Sequence, residues 1–326
     1  MGKWSGTLEE VAVGTVLITG GLGCLGGGLA KHLVNTGFRV LVGSSRQNAQ
    51  LPEKLKQCSL VCTDFGDLEK LNKVCAEADY VIHLAAVNAQ LSERDPELAK
   101  RVNSFGTKNL IKASIQNEVK YFLYFSTAHV YGSPLIGQID ENTEVRPLHP
   151  YALTHKLAED FLLSAIESGK INGNIIRLSN SIGLPVVKEA NCWMLFTNDA
   201  CRQAIIHRRI AINANPSDER DFITMDSVYK IVQYFLLHYP SINDPIFNVG
   251  SGITHSLMQM AEIIACRCEA LFGYSPQITY SKEKLIKSSK LTYKVDKLTS
   301  LMHDITDNDL SSAIDEILKF CQTENS

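Results

Sequence analysis

This chain of 326 residues lacks several features, and each absence excludes a class of protein. No apolar run approaches the roughly 18 residues that a membrane-spanning helix requires. There is no block of basic residues and the formal net charge is −3, so nothing favours nucleic acid as a partner. The beginning of the chain has neither the long apolar region nor the cleavage site of a secretory signal peptide. We therefore expect a cytoplasmic protein that binds neither membrane nor nucleic acid.

The nine cysteines lack any pattern that would give them a common function. The pairs Cys58/Cys62 and Cys266/Cys268 have neither the spacing of a zinc site nor that of a disulfide framework. Scattered, reduced thiols are typical of cytosolic proteins. The sequence consequently predicts no metal site, and it contains neither an internal repeat nor a low-complexity linker.

The first half of the chain does contain a regular alternation of strand-like and helix-like segments. Short apolar runs separated by helical patterns, such as that of residues 102–116, are typical of a parallel sheet that helices cover on both faces. We therefore predict an α/β fold with a Rossmann-type, doubly wound parallel sheet. The predicted strands of this sheet are residues 15–19, 39–42, 79–84, 119–125 and 173–178.

The alternation ends after Asn180, where residues 181–218 are irregular. Strand character returns at 220–224 and 245–249, and residues 256–272 have the pattern of a helix. This change predicts a smaller C-terminal substrate-binding lobe, with a ligand cleft between the two lobes. The predicted dinucleotide-binding domain is 1–180 with about 219–254, and the predicted substrate-binding lobe is 181–218 with 255–326.

A glycine-rich turn joins the first predicted strand to the first helix. Gly20, Gly23 and Gly26 have the spacing that allows a tight turn and a close approach of the backbone to a pyrophosphate. The N-terminus of the following helix adds free N–H groups and a partial positive charge. Because the turn lies between a buried strand and a helix, it predicts a dinucleotide site.

The end of the second strand indicates which dinucleotide is bound. A carboxylate there binds the ribose of NAD, whereas an arginine accommodates the 2′-phosphate of NADP. The sequence has Ser44, Ser45 and Arg46 at this point and no Asp or Glu. NADP(H) is therefore the favoured cofactor and NAD(H) the second choice. In the alternative interpretation, Arg46 is a solvated loop residue.

Eight short motifs occur in an order that resembles the extended short-chain dehydrogenase/reductase family, in its branch of nucleotide-sugar epimerases, dehydratases and reductases. The resemblance extends over nearly the whole chain, and it implies a nicotinamide cofactor and a nucleotide-sugar substrate. The motifs are TGGLGCLG at 19–26, CTDFGD at 62–67, HLAA at 83–86, FSTAHVYG at 125–132, PYALTHK at 150–156, RLSNSIG at 177–183, RDFI at 220–223 and FNVGSG at 247–252.

This resemblance assigns a set of residues to the cofactor. Asp64 is expected to contact the adenine, and His83 is expected to pack beneath the cofactor loop without taking part in the chemistry. Further residues implied to contact the dinucleotide are Leu25, Phe65, Leu84, Ala85 and Ala86.

The resemblance also assigns catalytic and substrate-binding residues. Thr127 and Tyr151 match the family's catalytic Ser/Thr and tyrosine, and Thr127 also contacts the substrate. Asn180 and Arg220 match positions that bind the sugar nucleotide, Arg220 near its phosphates. The residue types agree, since a hydroxyl at the carboxyl end of a parallel strand faces the ligand crevice and an arginine offers forked donors to phosphate. The simpler alternatives are a turn cap for Thr127 and an ion pair between Arg220 and Asp221.

One position of the PYALTHK motif departs from the family. The family has a lysine four residues after the tyrosine, where it holds the nicotinamide ribose and lowers the tyrosine pKa. This chain has His155 there, and Lys156 comes one residue later. Three interpretations stay open: His155 replaces the lysine beside Tyr151; a π-bulge turns Lys156 onto that face; or the protein binds a nucleotide and does little chemistry. Without a bulge, Lys156 is expected to pair with Asp160.

The surroundings of the threonine narrow the expected reaction. The family's dehydratases have an Asp-Glu pair after it, but this chain has Ala128 and His129, which disfavours 4,6-dehydration. We expect hydride transfer at the sugar C4, by a 4-ketoreductase or a 4-epimerase, with Thr127, Tyr151 and His155 as catalytic residues. The latter two are also expected to contact the cofactor. The alternative is a catalytically weak dinucleotide-binding regulatory or structural protein. A homodimer is expected by analogy.

Overall fold

The computed structural model describes residues 13–187, 189–281, 290–302 and 308–324. Residues 1–12, on which the signal-peptide prediction rests in part, lie outside these ranges, as do the outer ends of the two predicted lobes. Within the described ranges, no helix combines the length and the apolar character needed to cross a membrane.

A seven-stranded sheet lies at the centre of the molecule, and every pair of neighbouring strands in it is parallel. Its strands, in spatial order, are β3 (Ser59–Cys62), β2 (Arg39–Ser44), β1 (Thr15–Thr19), β4 (Tyr80–His83), β5 (Tyr121–Thr127), β7 (Gly173–Leu178) and β11 (Ile246–Val249). The chain order reverses between β1 and β4, and ligands bind in the crevice outside the carboxyl ends of strands at such a point. The predicted fold class is confirmed; β3 is a strand that the sequence pattern did not predict.

Helices cover both faces of this sheet because its strands are apolar on both faces. In β1, Val16 and Ile18 belong to one buried cluster and Leu17 to another on the opposite face, and all three are fully buried. Over the whole of the described chain, and not only around this sheet, the α-helices are α1 (Gly26–Asn35), α2 (Leu68–Cys75), α3 (Ala89–Arg94), α4 (Pro96–Ala99), α5 (Thr107–Gln116), α6 (Pro150–Glu167), α7 (Phe196–His207), α8 (Met225–His238), α9 (Leu257–Phe272), α10 (Asp296–Leu301) and α11 (Leu310–Glu324).

A third buried cluster forms where α7, α9 and α11 pack together. Small sheets lie beside it, in the orders β12-β10-β8, β13-β9 and β14-β6. Their strands are β6 (Gly137–Ile139), β8 (Asn180–Ile182), β9 (Arg209–Ile212), β10 (Glu219–Thr224), β12 (Thr254–Ser256), β13 (Gln277–Tyr280) and β14 (Leu291–Tyr293). β11 joins the large sheet, whereas β10 pairs with β8 and β12. The division into two lobes and its boundaries stay a prediction.

Candidate dinucleotide and substrate site

The glycine turn between β1 and α1 is packed so closely that side chains cannot be accommodated. Gly20 has a φ of +67°, and a Cβ there would lie 2.9 Å from the backbone nitrogen of Ala85. A Cβ on Gly26 would lie 2.4 Å from the carbonyl oxygen of Gly20. The residue that caps α1, Leu25, makes no side-chain cap hydrogen bond, and among the first N–H groups of the helix that of Gly27 donates to the carbonyl oxygen of Gly23 (3.4 Å). The remaining groups at this N-terminus are suited to an anion. This backbone cradle fits a pyrophosphate.

A cavity of about 590 Å³ opens above this turn at the carboxyl edge of the sheet. Leu25 and Gly26 do not line it, because Leu25 packs against the core and Gly26 is buried beneath the turn. Sequence reasoning missed Arg101 and Asn109, which line it from the far side; Asn109 donates to the carbonyl oxygen of Phe65 (2.8 Å). The predicted cofactor residues that line the cavity are Gly20, Gly23, Ser44, Ser45, Arg46, Asp64, Phe65, Leu84, Ala85 and Ala86.

The end of β2 presents hydroxyls and a guanidinium to this cavity. The side-chain oxygen of Ser44 accepts a hydrogen bond from the backbone nitrogen of Arg46 (3.2 Å), and the Arg46 side chain is exposed. Asp64 also lines the cavity, but its carboxylate is engaged by Lys70 at 3.3 Å. The residues at the end of β2, Ser44, Ser45 and Arg46, include no carboxylate at the point where NAD-binding proteins hold the ribose.

Two smaller cavities adjoin each other beyond the end of β5, with volumes of about 270 and 280 Å³. Thr127 lines the first and Tyr151 the second, and the residues that line both are His129, Asn180 and Arg220. The hydroxyl of Thr127 also accepts from the backbone nitrogen of His129 (3.2 Å), so it caps the following turn as well as facing the cleft. The structure thus brings together the four residues predicted to contact the substrate or its reacting oxygen.

The backbone of Arg220 pairs with that of His255 in β12, but its side chain makes no ion pair and no hydrogen bond with any part of the chain that the structure describes. The predicted alternative, an ion pair with Asp221, is wrong. The Asp221 carboxylate is buried and instead accepts from the Ser179 hydroxyl (2.6 Å) and the backbone nitrogens of Ser251 (2.9 Å) and Gly252 (2.7 Å). Burial lowers the pKa of the Arg220 guanidinium, and the nearby Asp218 carboxylate acts in the opposite direction. A half-buried guanidinium that makes no direct ion pair in the described ranges is suited to an anionic ligand.

The motif PYALTHK begins a regular α-helix. His149 caps it, accepting from the backbone nitrogen of Ala152 (3.2 Å), and Pro150 occupies the first turn. The predicted alternative of a π-bulge in this helix is wrong, since α6 is α-helical throughout. A π-helical turn occurs instead at Lys100–Gly106, where an ordinary helix was predicted. Lys156 pairs with Asp160, as expected for a helix without a bulge.

His155 occupies the position of the family's lysine, but it is buried. Its side chain is 3% exposed and contributes to none of the cavities described above. Nδ1 lies 2.7 Å from the hydroxyl of Tyr124, whereas Nε2 has no hydrogen-bond partner in the described ranges. The imidazole also packs edge-on against the ring of Tyr151, with 4.4 Å between the ring centroids. The predicted contact of His155 with a cofactor therefore stays a prediction.

The electrostatic setting of Tyr151 is neutral. Burial lowers the pKa of His155 to about 3, helped by repulsion from His129 and His149, so the imidazole carries no charge at neutral pH. Burial also raises the pKa of Tyr151 to about 12. A nearby cation would act in the opposite direction. The phenol is consequently protonated near neutrality, and its base form is scarce there.

His83 packs beneath the wall of the dinucleotide cavity, in agreement with its predicted role. Its Nδ1 lies 2.6 Å from the Thr19 hydroxyl and its Nε2 lies 2.8 Å from that of Thr107. Thr19 in turn accepts from the backbone nitrogen of Ala85 at 3.4 Å. The pKa of His83 is lowered to about 3 by burial, with a contribution from His155. This uncharged histidine holds the loop after β4 in place through these hydrogen bonds.

The cradle at the reversal of strand order and the hydroxyl-lined cleft beside it define a Rossmann-type dinucleotide-binding protein. Residues 16–250 match the NAD dependent epimerase/dehydratase family, and this chain belongs to that family.

Individual relatives agree with this membership. UDP-arabinose 4-epimerase 1 from Arabidopsis thaliana is 31% identical over 188 residues, which are 54% of this chain and 45% of that protein; the chain thus spans about half the length of this relative. The crystal structure of a putative epimerase from Burkholderia cenocepacia J2315 has a TM-score of 0.81 at 21% identity, covering 96% of this chain and 99% of that one. A UDP-glucose 4-epimerase from Thermus thermophilus, in complex with NAD, has a TM-score of 0.76 at 22% identity, with 94% and 99% covered. At these identities the two structures show a shared fold.

Proposed function

We propose that this protein is a nucleotide-sugar 4-epimerase, which removes and returns hydride at the sugar C4 with a nicotinamide dinucleotide. The observation that carries the proposal is the convergence of Thr127, Tyr151, Asn180 and Arg220 on two adjoining cavities. The guanidinium of Arg220, which makes no direct ion pair in the described ranges, holds the diphosphate of the substrate. Family membership and the similarity to UDP-arabinose 4-epimerase 1 support a C4 reaction on a UDP-sugar.

The residues around the glycine turn fit a dinucleotide, because Gly20 and Gly23 line the cavity of about 590 Å³ and the turn is so tight that a Cβ at Gly20 or Gly26 would clash with the surrounding backbone. When bound, the nicotinamide supplies the acceptor and donor of hydride. The chain's own residues handle the proton: the Thr127 hydroxyl hydrogen-bonds the C4 oxygen, and Tyr151 takes or returns its proton. Asn180, which lines both cavities together with Arg220, orients the sugar.

A second candidate function is the net reduction of a 4-keto nucleotide-sugar. The observation that favours it is the neutral surroundings of Tyr151, whose pKa is raised to about 12 by burial. Reduction needs the phenol as an acid, and the protonated form is fully populated at neutral pH. Epimerisation also needs the phenol as a base in its first half-reaction, and that form is scarce.

Turnover on a substrate panel tests the proposal and separates the two candidates. UDP-, TDP-, GDP- and CDP-hexoses and their 4-keto forms are incubated with NAD(H) or NADP(H), and products are separated by chromatography. We expect interconversion of C4 epimers, strongest among the UDP-sugars, and a dinucleotide that copurifies with the protein. Consumption of NADPH with 4-keto sugars, without interconversion of epimers, would establish the reductase instead. Dinucleotide binding without any turnover would favour the remaining alternative, a catalytically weak dinucleotide-binding protein.

The preference between cofactors depends on Arg46, which lines the dinucleotide cavity beyond β2. We expect Arg46→Gln to weaken NADPH binding about tenfold and to leave NADH binding unchanged, because the charge-assisted hydrogen bonds to a 2′-phosphate are lost. Fluorescence titration with both cofactors measures the effect. Arg39→Gln is a matched control, since Arg39 is an exposed arginine at the opposite end of the same strand, paired with Glu77. Equal weakening of NADH and NADPH would show that Arg46 does not bind the phosphate.

The remaining sequence predictions are part of the same proposal. The homodimer is supported by exposed apolar side chains beside the tyrosine-bearing helix, with Phe105 43% and Leu153 51% exposed. The cytoplasmic location is supported by the cysteines, all nine of which are free thiols. The division into a dinucleotide-binding domain and a substrate-binding lobe is supported by the separate buried cluster around α7, α9 and α11.

A further inference from the structure

The cleft beyond β5 contains an imidazole that takes no part in the proton transfer proposed above. His129 lies in the short 3₁₀ turn that follows Thr127, and the residue is exposed and lines both of the adjoining cavities. Thr127 lines the first of these cavities and Tyr151 the second. His129 therefore stands where the two cavities meet, next to the groups that are expected to contact the C4 oxygen of the sugar.

The second cavity, of about 280 Å³, has a lining that suits an anion. The described part of the chain contributes no Asp or Glu to it, but it does contribute the guanidinium of Arg220. Thr197 also lines it, and its buried hydroxyl has no hydrogen-bond partner in the described ranges. Thr197 belongs to the first turn of α7, whose capping residue makes no side-chain hydrogen bond. Together with His129, these groups favour a ligand that carries negative charge.

Acidic residues do line the first cavity, but their carboxylates have other neighbours. Glu219 accepts from the backbone nitrogen of Leu291 (2.7 Å), and Asp218 acts on the guanidinium of Arg220. Neither carboxylate is among the groups that shift the pKa of His129. The lining of the cleft in the described ranges therefore supplies no counter-charge to this imidazole.

The imidazole of His129 is itself uncharged near neutrality. Burial, followed by repulsion from His149 and Arg220, lowers its pKa to about 4, and a hydrogen bond with the backbone of Gly132 acts in the opposite direction. The ring of His149 lies edge-on to it, with 5.5 Å between the centroids. An anion placed beside His129 would favour the protonated ring. The titratable side chains at the start of α6 are also uncharged at neutral pH, namely His149, Tyr151 and His155.

The proposed reaction determines which part of a sugar lies beside this ring. The C4 oxygen must lie between Thr127 and Tyr151, and the diphosphate on C1, across the sugar ring, extends to Arg220. C6 is two bonds from C4, so the group that it carries is brought to the junction of the two cavities. A hydroxyl on C6 leaves the imidazole of His129 uncharged, whereas a carboxylate supplies the counter-charge that the described lining does not.

We propose that the substrate is a nucleotide-activated uronic acid, whose C6 carboxylate binds against His129 while the imidazole takes up a proton. This inference rests on the proposed function for the position of C4. The protonated ring and the carboxylate balance each other, so the surroundings of Tyr151 keep no net charge. His129 is then a specificity-determining residue, which favours a sugar with a carboxylate over the same sugar with a hydroxymethyl group.

Titration calorimetry of the unmodified protein with UDP-glucuronate and UDP-glucose tests the proposal, because the two ligands differ only at C6. A ring that is neutral when free and charged when bound takes up a proton, so the affinity rises as the pH falls. We expect UDP-glucuronate to bind about tenfold more tightly than UDP-glucose at pH 6, and this preference to shrink at pH 8. Equal affinities for the two ligands at both pH values would overturn the proposal.

Proton uptake is measured directly by repeating the titrations in two buffers with different ionisation enthalpies. The uptake with UDP-glucuronate is expected to exceed the uptake with UDP-glucose by up to about one proton per ligand. Equal uptake with the two ligands would contradict protonation by the carboxylate, and this result does not depend on the folding of any variant.

His129→Gln keeps a side chain that can donate a hydrogen bond and removes the titratable ring. The preference for UDP-glucuronate and the excess proton uptake are both expected to disappear, while the affinities for UDP-glucose and for UDP change less than twofold. An equal loss of affinity for all three ligands would overturn the proposal, since it would assign His129 to the diphosphate. His207→Gln is the matched control and is expected to change nothing, because His207 is exposed at the end of α7 and lines neither cavity.

His149→Asn identifies which ring takes up the proton. Asparagine can cap α6 as His149 does, whose Nδ1 accepts from the backbone nitrogen of Ala152 (3.2 Å). We expect the excess proton uptake to persist in this variant. Its loss in His149→Asn, together with its persistence in His129→Gln, would overturn the proposal.

Turnover separates the failure of this inference from the failure of the proposed function. Interconversion of UDP-glucose and UDP-galactose, without a preference for UDP-glucuronate, would refute only the inference. A proton-linked preference for UDP-glucuronate, without epimerisation of either sugar, would refute only the function.

Discussion

Tyr151→Phe is expected to lower turnover of the nucleotide-sugar by about 10²–10⁴-fold and to leave dinucleotide affinity within a few-fold of the wild type. The substitution removes the hydroxyl that exchanges a proton with the C4 oxygen, while the ring keeps its contact with His155 (4.4 Å between centroids). Steady-state kinetics on the best substrate of the panel, combined with a cofactor titration, measures the two quantities separately.

Lys156→Ala is the matched control for this prediction. Lys156 lies on the same helix and is the basic residue nearest to the family's lysine in sequence, but its ammonium is paired with Asp160. We expect its loss to change turnover less than about twofold, as is usual for a partly exposed pair on a helix. A loss comparable to that of Tyr151→Phe would mean that Lys156 reaches the reacting groups, and the assignment of α6 would need revision.

The pH dependence of the two directions of hydride transfer should differ for the same reason. The phenol of Tyr151 has its pKa raised to about 12, so at pH 7 only about one phenol in 10⁵ is ionised. Below this pKa almost every Tyr151 phenol is protonated. The rate of ketone reduction is therefore expected not to change with the ionisation of Tyr151 from neutral pH upward. The base form grows with pH, and alcohol oxidation is expected to rise about tenfold per pH unit over the same range. Profiles of kcat in both directions measure the contrast.

His155→Lys should reduce this contrast. An ammonium beside Tyr151 favours the phenolate and lowers its pKa, so oxidation would reach its plateau at a lower pH. Oxidation that is already independent of pH near neutrality in the wild type would contradict the neutral setting of Tyr151. It would imply a cationic group near the phenol once the cofactor is in place.

Local sequence patterns were sufficient to predict the elements that are determined by neighbouring residues. The apolar runs of β1 and β5 and the glycine turn before α1 follow from neighbouring residues, and the structure has them near the predicted positions. The helical periodicity of 102–116 did predict a helix. It could not show that Lys100–Gly106 is π-helical, because the apolar pattern does not distinguish the two geometries.

The contacts that determine the chemistry of the site are made across the fold, and sequence alone did not reveal them. Tyr124 lies within the run YFLYFST and looks like another buried strand residue, yet its hydroxyl meets His155 on a different element. Asp221 follows Arg220 directly, but the register of β10 turns its carboxylate towards Ser251 and Gly252. Pairing between residues far apart in the chain decides both cases, and no local pattern encodes it.

The largest expected effect on stability comes from Glu159, which lies on α6 two turns after Tyr151. Its carboxylate makes a two-pronged ion pair with Arg177 of β7, at 3.0 Å and 2.7 Å, and the two side chains are 0% and 4% exposed. Arg177 also donates to the Tyr131 hydroxyl (2.9 Å) and lies over that ring. The pair therefore fastens α6 to the central sheet and to the turn after Thr127.

Glu159→Leu should destabilise the protein by about 3–5 kcal/mol, because it leaves a buried guanidinium without its counter-charge. This corresponds to a fall in Tm on the order of 10 °C, measurable by calorimetry or circular dichroism. Glu53→Gln is a suitable control, since it removes one partner of an ion pair whose side chains are 69% and 81% exposed, and no measurable change in Tm is expected.

The double variant Glu159→Leu/Arg177→Met distinguishes an unpaired charge from lost packing. Replacing both members of a buried pair by apolar side chains of similar size is often nearly neutral, so the double variant should recover most of the stability that Glu159→Leu loses. A double variant as unstable as the single one would show that the contacts of Arg177 with Tyr131 dominate. In that case α6 is held through the turn after β5 and not through its own carboxylate, and the same turn carries Thr127.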